Sequence, residues 1–184
     1  MSRPASPEAV KLIASVLSAD RDVMAGALAM LADRFGPFDF VSEYLPFEYT
    51  DYYREEMGEG LFRRFVSFEE LVPPDDLPAI KHSTNDMEAR FGERGRRRVN
   101  IDPGYLSRSQ LVLATGKPYA HRPYLRDGIY ADVTLLFRNR SFQALEWTYP
   151  DYAAEPARHL FTMLRERYLL QRAAEDKGKA GNDG

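Results

Sequence analysis

Hydrophobic positions along the chain switch between two periods. Residues 11–18 (KLIASVLS) form a short, apolar, partly β-branched run, which predicts a buried strand. Val23, Ala27, Leu28, Leu31 and Phe35 then recur at helical spacing, with Ser18 or Asp20 as cap and Gly36-Pro37 as stop. Residues 38–49 read as aromatic and extended, interrupted by Pro46, and residues 61–68 (LFRRFVSF) as a third strand. A second helix is expected after Pro73-Pro74, capped by Asp75, with Leu77, Ile80, Thr84, Met87 and Phe91 on its buried face. Residues 99–101 predict a short fourth strand, ended by the turn signal Asp102-Pro103-Gly104.

The order so far is βαββαβ, the split βαβ order of ferredoxin-like α+β domains. It carries no function by itself. Residues 105–115 fit either strand or helix. Beyond them, residues 119–126, 129–137 and 142–149 read as a three-stranded antiparallel meander, because Asp127-Gly128 is a strong hairpin signal. A final helix is expected over about 155–172, with Ala157, Leu160, Phe161, Leu164 and Tyr168 on one face. The whole is one domain over residues 9–172, between polar, disordered tails at 1–8 and 173–184.

Two-residue loops at 127–128 and 139–140 fix a register for the meander. In that register Thr134 lies opposite His121, and Asp132 lies opposite both Pro123 and Trp147. One face then carries His121, Tyr130, Asp132, Thr134, Leu145, Trp147 and Tyr149. The other carries Ile129, Ala131, Val133, Leu135, Phe137, Phe142 and Ala144 as a core face. His121 and Asp132 become diagonal neighbours, an imidazole–carboxylate pair suited to acid–base work. The alternative is a solvated sheet face with a surface histidine.

Composition narrows the chemistry. The chain has 184 residues, no cysteine and a net charge of −3. That excludes disulfide scaffolds, thiolate zinc sites and thiol nucleophiles. No apolar run reaches the roughly 20 residues of a membrane span, and the start MSRPASPEAVK lacks a signal h-region, so a cytoplasmic protein without membrane contact is expected. The small net charge hides a partition: residues 36–89 hold 4 basic and 13 acidic side chains, and residues 90–140 hold 11 basic and 4 acidic. The basic stretch contains Arg94, Arg96, Arg97, Arg98, Arg108, Lys117, Arg122 and Arg126, interleaved with Tyr105, Tyr119, Tyr124 and Tyr130. Arginine forks suit phosphate and tyrosines can stack on a base, which favours a nucleotide, a phosphorylated metabolite or RNA. The bland alternative is that the two segments neutralise each other in the fold.

Motif tests are mostly negative. Thr115-Gly116-Lys117 resembles the end of a P-loop, but Leu111 and Pro118 stand where Gly and Ser or Thr are needed. The histidines are scattered, so a histidine metal site is not expected; Mg²⁺ on Asp102 and Asp132 is conceivable without being signalled. Phe65-Val66-Ser67-Phe68 matches only half of an RNA-binding RNP1 motif, and core packing is the commoner role. The aromatic segment 46–58 fits a ligand-facing loop, an oligomer contact or a short helix capped by Thr50 or Asp51.

The strings PFEYTDYYREEMG (46–58), RRVNIDPGYL (97–106), LVLATGK (111–117), HRPYL (121–125), GIYADVTL (128–135) and WTYPDY (147–152) together resemble an uncharacterised prokaryotic family, domain of unknown function 4416 (DUF4416). The resemblance implies no established activity. It implies that Asn100, Asp102, Tyr105, Lys117, His121, Arg122 and Tyr130 belong to the family's signature. It also implies Glu where Asp132 stands, so this chain keeps the carboxylate but shortens it.

The reading is therefore a binder of a nucleotide or other phosphorylated small molecule. Arg98, Lys117 and Arg122 would hold the anion, with Asn100 beside them, and Tyr105 or Tyr130 would stack. His121 with Asp102 or Asp132 would move protons if the protein is an enzyme. The cofactor is unknown. The alternative is a non-catalytic RNA-binding or protein-interaction module, with a homo-oligomer as a further form.

Overall fold

The computed structural model describes residues 3–50 and 53–180. Its strands are β1 (Val10–Ser18), β2 (Phe38–Val41), β3 (Leu45–Pro46), β4 (Phe62–Val72), β5 (Val99–Leu106), β6 (Gln110–Thr115), β7 (Tyr124–Arg126), β8 (Ile129–Arg138) and β9 (Ser141–Ala144). The helices are α1 (Arg21–Phe35), α2 (Arg54–Met57), α3 (Leu77–Arg90), α4 (Pro150–Ala153) and α5 (Glu155–Ala180). The fold is α+β, and its strands form one sheet ordered β2-β4-β1-β5-β6-β8-β7, with β3 added to β4 and β9 to β8. The pairings are antiparallel.

Both faces of the sheet are covered. On one, Val23, Met24, Ala27 and Leu31 of α1 and Ile80 and Met87 of α3 pack on Leu12, Val16, Val66 and Ile101. On the other, Phe161, Leu164 and Tyr168 of α5 pack on Ile13, Phe65, Leu111, Leu135 and Phe142. With both faces buried, β1 is buried at every position, which explains its unbroken apolar run. Phe65 and Phe68 sit in these two cores, so the half RNP1 motif is packing.

Asp20 caps α1, accepting from the backbone N–H groups of Asp22 and Val23 at 2.8 and 3.2 Å. Asp75, the expected cap of α3, instead lies in a 3₁₀ turn (Pro74–Asp76), and no side chain caps that helix. Residues 105–115 divide between β5 and β6. α5 continues through Ala180, past the expected end at 172, with Arg172 paired to Glu175 and Asp176 along it. Residues 181–184 of the expected tail and Asp51 and Tyr52 of the aromatic segment lie outside the described residues.

The largest departure is at Asp102-Pro103-Gly104, where no turn forms. β5 runs straight through it, pairing with β1 from Lys11↔Leu106 to Ser18↔Val99. Gly104 is required by crowding: a Cβ there would overlap the Val112 carbonyl oxygen and lie 2.7 Å from Leu113 Cδ2. The sequence signal was a true glycine requirement of a different kind, a close approach between strands.

The meander is also shorter and more irregular than expected. Arg126 pairs with Ile129 as the hairpin predicts, but a bulge shifts Tyr124 onto Tyr130, and β7 begins only at Tyr124. Thr134 therefore does not oppose His121, which lies in a turn before the strand. A second bulge, between Leu135 and Val133 against β6, moves the core face. Ile129, Ala131 and Val133 pack with Leu77 of α3, whereas Leu135, Phe137 and Phe142 pack under α5. The arrangement predicts that Gly104→Ala destabilises the fold by about 1–3 kcal/mol through overpacking, read as a lower midpoint in urea unfolding.

Candidate functional site

The sheet opens at one place. β6 pairs with β5 only at Gly104, Tyr105 and Leu106. The next backbone donor toward β6 would come from residue 103, and proline has none. Two residues on, Ile101 points its amide into the same gap and is satisfied by side chains of α3. Its N–H donates to Glu88 Oε1 at 2.7 Å, and its carbonyl accepts from Lys81 Nζ at 2.9 Å. Helix side chains thus take the place of a neighbouring strand.

A cavity of about 650 Å³ occupies this opening. Lys81, Asn85 and Glu88 reach it from α3 at positions i, i+4 and i+7. Asp102 and Asp132 reach it from the other face of the sheet: Asp102 is opposite Ser15, and Asp132 opposite Leu113. Thr115, Gly116 and Lys117 close one end, and Phe47, Tyr49, Tyr53, Tyr149 and Tyr152 supply an aromatic side.

Charges in the cavity are linked in two groups. In the first, Lys81 lies 3.5 Å from Asp102 and 4.0 Å from Glu88. Asn100 donates to Asp102 at 2.7 Å and accepts from Arg97 at 3.0 Å. Arg97 also grips Glu56 through two bonds of 2.6 and 2.7 Å, which ties α2 to β5. This pairing holds the Arg97 guanidinium well above its ordinary pKa. Glu88 goes the other way from most carboxylates: burial pushes it up, against the opposing pull of Lys81 and Arg97.

The second group centres on Arg122. Its Nε donates to Asp132 at 2.8 Å, Nη1 to the Lys117 carbonyl at 3.1 Å and Nη2 to the Tyr149 hydroxyl at 3.0 Å. Its guanidinium lies over the Tyr119 ring at 4.9 Å from the centroid, within cation–π range. One buried arginine therefore fixes β8, the 115–117 turn and the start of α4 relative to each other. His121 stacks on Trp147 at 4.8 Å, with Nε2 3.9 Å from the same Asp132 oxygen. At that separation the two are not hydrogen-bonded. β9 ends at Ala144, so Trp147 does not pair across from Asp132; its Nε1–H donates to the Val133 carbonyl at 2.9 Å instead.

Of the residues singled out in the sequence, Asn100, Asp102, Lys117, Arg122 and Asp132 line one cavity. His121 lies behind it against Asp132. Three are placed elsewhere. Arg98 pairs with Asp20 at 2.6 Å and Glu93 at 3.5 Å and borders a separate surface cleft. Tyr105 packs in the small core beneath α3, and Tyr130 lies against Tyr124 at 5.2 Å. Sequence reasoning missed Arg63, which is buried against Asp151 and ringed by Phe47, Phe65 and Tyr152. It also missed Lys81 and Glu88. Their signal was there, a polar i, i+4, i+7 stripe beside the apolar face of α3.

The family model for Domain of unknown function (DUF4416) matches residues 8–168, and the chain belongs to that family. No curated protein and no solved structure matches it. Among the described residues, no helix is long and apolar enough to cross a membrane.

Two outcomes follow for solution experiments. Arg122→Ala leaves Asp132 buried and unpaired, so unfolding free energy should fall by about 3–5 kcal/mol in urea titration. Glu88 binds its proton more tightly folded than unfolded, so its contribution is fully present at low pH and is lost as pH rises through its raised folded value. The stability of Glu88→Gln relative to the parent should therefore increase with pH across that window, as read by thermal denaturation at a series of pH values.

Proposed function

We propose that this DUF4416 protein binds a nucleotide or another phosphorylated small molecule in the cavity between β5 and β6, and uses the enclosed carboxylates for acid–base chemistry. One observation carries the reading: a single cavity of about 650 Å³ is lined by both cationic side chains and aromatic rings. Its size lies within the roughly 300–1,000 Å³ of small-molecule sites. Arg63, Lys81, Arg97, Lys117 and Arg122 are the cations around it. Lys117 is exposed at the rim, next to Gly116, whose missing side chain leaves open space for a ligand oxygen to approach the turn.

The pairing of the basic segment supports this reading over an RNA-binding module. Arg97, Arg98, Arg108 and Arg122 are each held by carboxylates, namely Glu56, Asp20, Glu8 and Asp132. An extended phosphate-binding face needs several outward cations acting together. The order β2-β4-β1-β5, with α1 and α3 on one face, supports a ferredoxin-like split βαβ unit at the core of the larger sheet. A cytoplasmic setting suits such a ligand.

The test is a thermal-shift screen of nucleotides, phosphorylated sugars and pyrophosphate, because a ligand that binds the native state raises its apparent stability. At least one of these compounds should raise the melting temperature in a concentration-dependent way. Lys117→Ala should then weaken that compound about tenfold, the loss of one rim charge–phosphate contact. A flat screen removes the reading.

A further inference from the structure

Two tyrosines at the cavity mouth are left half uncovered. Tyr149 is 49% exposed and Tyr49 is 50% exposed, and both line the cavity. Neither is a loose surface ring. The Tyr149 hydroxyl accepts from Arg122 Nη2 at 3.0 Å, so a guanidinium that is itself buried sets the ring's position. Its backbone is fixed as well. The Tyr149 carbonyl accepts from Tyr152 N–H at 3.0 Å and Ala153 N–H at 2.9 Å, opening α4, while the preceding Thr148 hydroxyl donates to the Thr134 carbonyl at 2.6 Å. Tyr49 packs against Phe47 at 5.7 Å between ring centres. Tyr105 and Tyr130, which the sequence offered for stacking, are turned to other partners.

An aromatic ring held rigidly, with its polar end tied back and about half of its surface exposed over a cavity, is a platform for another flat ring. Asn85 and Thr115 line the same space, and an amide and a hydroxyl both donate and accept, as the edge of a heteroaromatic base requires. Among the cations that line it, Lys81 is buried, Arg97 half-buried and Lys117 exposed.

We propose that the cavity mouth is a base-binding subsite in which Tyr149 stacks on the planar ring of a nucleotide and Tyr49 forms the second wall. The assignment rests on the phosphorylated-ligand reading above and makes it narrower: the ligand carries a heteroaromatic base as well as phosphate. A phosphorylated sugar without a base fills only part of the site.

The only tryptophan in the chain, Trp147, lies two residues from Tyr149 and supplies the measurement. Its fluorescence is followed on titration with the four ribonucleoside 5′-monophosphates and, separately, with ribose 5-phosphate and pyrophosphate. At least one monophosphate should bind about tenfold or more tightly than ribose 5-phosphate, the scale of one base stacked on an aromatic side chain. Tyr149→Ala should remove that advantage while leaving ribose 5-phosphate affinity within about twofold, and Tyr149→Phe should keep the base preference. Tyr49→Ala, which disturbs no bond to Arg122, should reduce the preference in the same direction and serves where Tyr149→Ala does not fold. Equal affinity for ribose 5-phosphate and every monophosphate overturns the base subsite and leaves the phosphate reading standing. So does a base preference that survives in folded Tyr149→Ala or, where that variant does not fold, in Tyr49→Ala. Absence of binding by every probe, calorimetry included, overturns both.

Discussion

A missing hydrogen-bond donor at Pro103 organises the middle of this molecule. Where a strand residue would offer its N–H to β6, proline offers none, and the β5–β6 ladder stops at Gly104. Buried amides cannot be left without partners, so the next one along, Ile101, has to find them elsewhere. Lys81 and Glu88 provide them from α3. That solution brings a lysine and a glutamate, two of the residue types least often buried, into the interior. It also keeps the strands apart far enough for a cavity that reaches side chains from both sheet faces.

Once those two charges are inside, the neighbouring chemistry follows. Glu88 and Lys81 are compensated by Arg97 and Asp102, Arg97 by Glu56, and Asp102 by Asn100. The acidic and basic segments visible in the sequence meet here: Glu56 and Glu88 come from the acidic segment, Arg97 from the basic one. Arg97 joins the two segments, whereas Arg98, Arg108 and Arg122 find their carboxylates outside the acidic one, at Asp20, Glu8 and Asp132. Isolated surface pairs would contribute little, but those of Arg97 with Glu56 and Glu88 are partly desolvated and share partners, so removing one member exposes the others.

Periodicity read the long elements well because their buried faces are continuous: β1 and the middle of β4 are buried on both faces, and α1, α3 and α5 each bury one stripe against the sheet. It failed where two constraints compete. Asp102-Pro103-Gly104 has the composition of a turn, but its glycine is there for close strand contact and its proline for the edge of a gap. The register set by the 139–140 loop is the one observed between β8 and β9, but the bulge between β7 and β8 displaces Tyr124 and the bulge of β8 against β6 moves the core face, shifts that alternation cannot foresee. At the site, Asn100, Asp102, Lys117, Arg122 and Asp132 were legible as polar residues in or beside strands. Lys81 and Glu88 were not, because a charged i, i+4, i+7 stripe on a helix ordinarily faces water.

The same pairings indicate how the cavity divides its labour. Arg122 has all three nitrogens engaged by Asp132, the Lys117 carbonyl and Tyr149, so its contribution to a ligand is indirect: it places the rim. Arg63 is enclosed by three aromatic rings and Asp151 and acts as part of the floor. Asp102 is different. It holds Asn100 by one oxygen and stands 3.5 Å from Lys81 by the other, with about a third of its side chain open. A carboxylate with unfilled lone pairs, set between an amide and an ammonium, is placed to accept a ligand hydroxyl or proton. Stability alone does not call for this arrangement, since well-packed apolar residues would often fill such a space as favourably as buried ion pairs do. On the ligand reading proposed above, the charged lining is a set of partners for a polar ligand as well as a device that holds the rim in place.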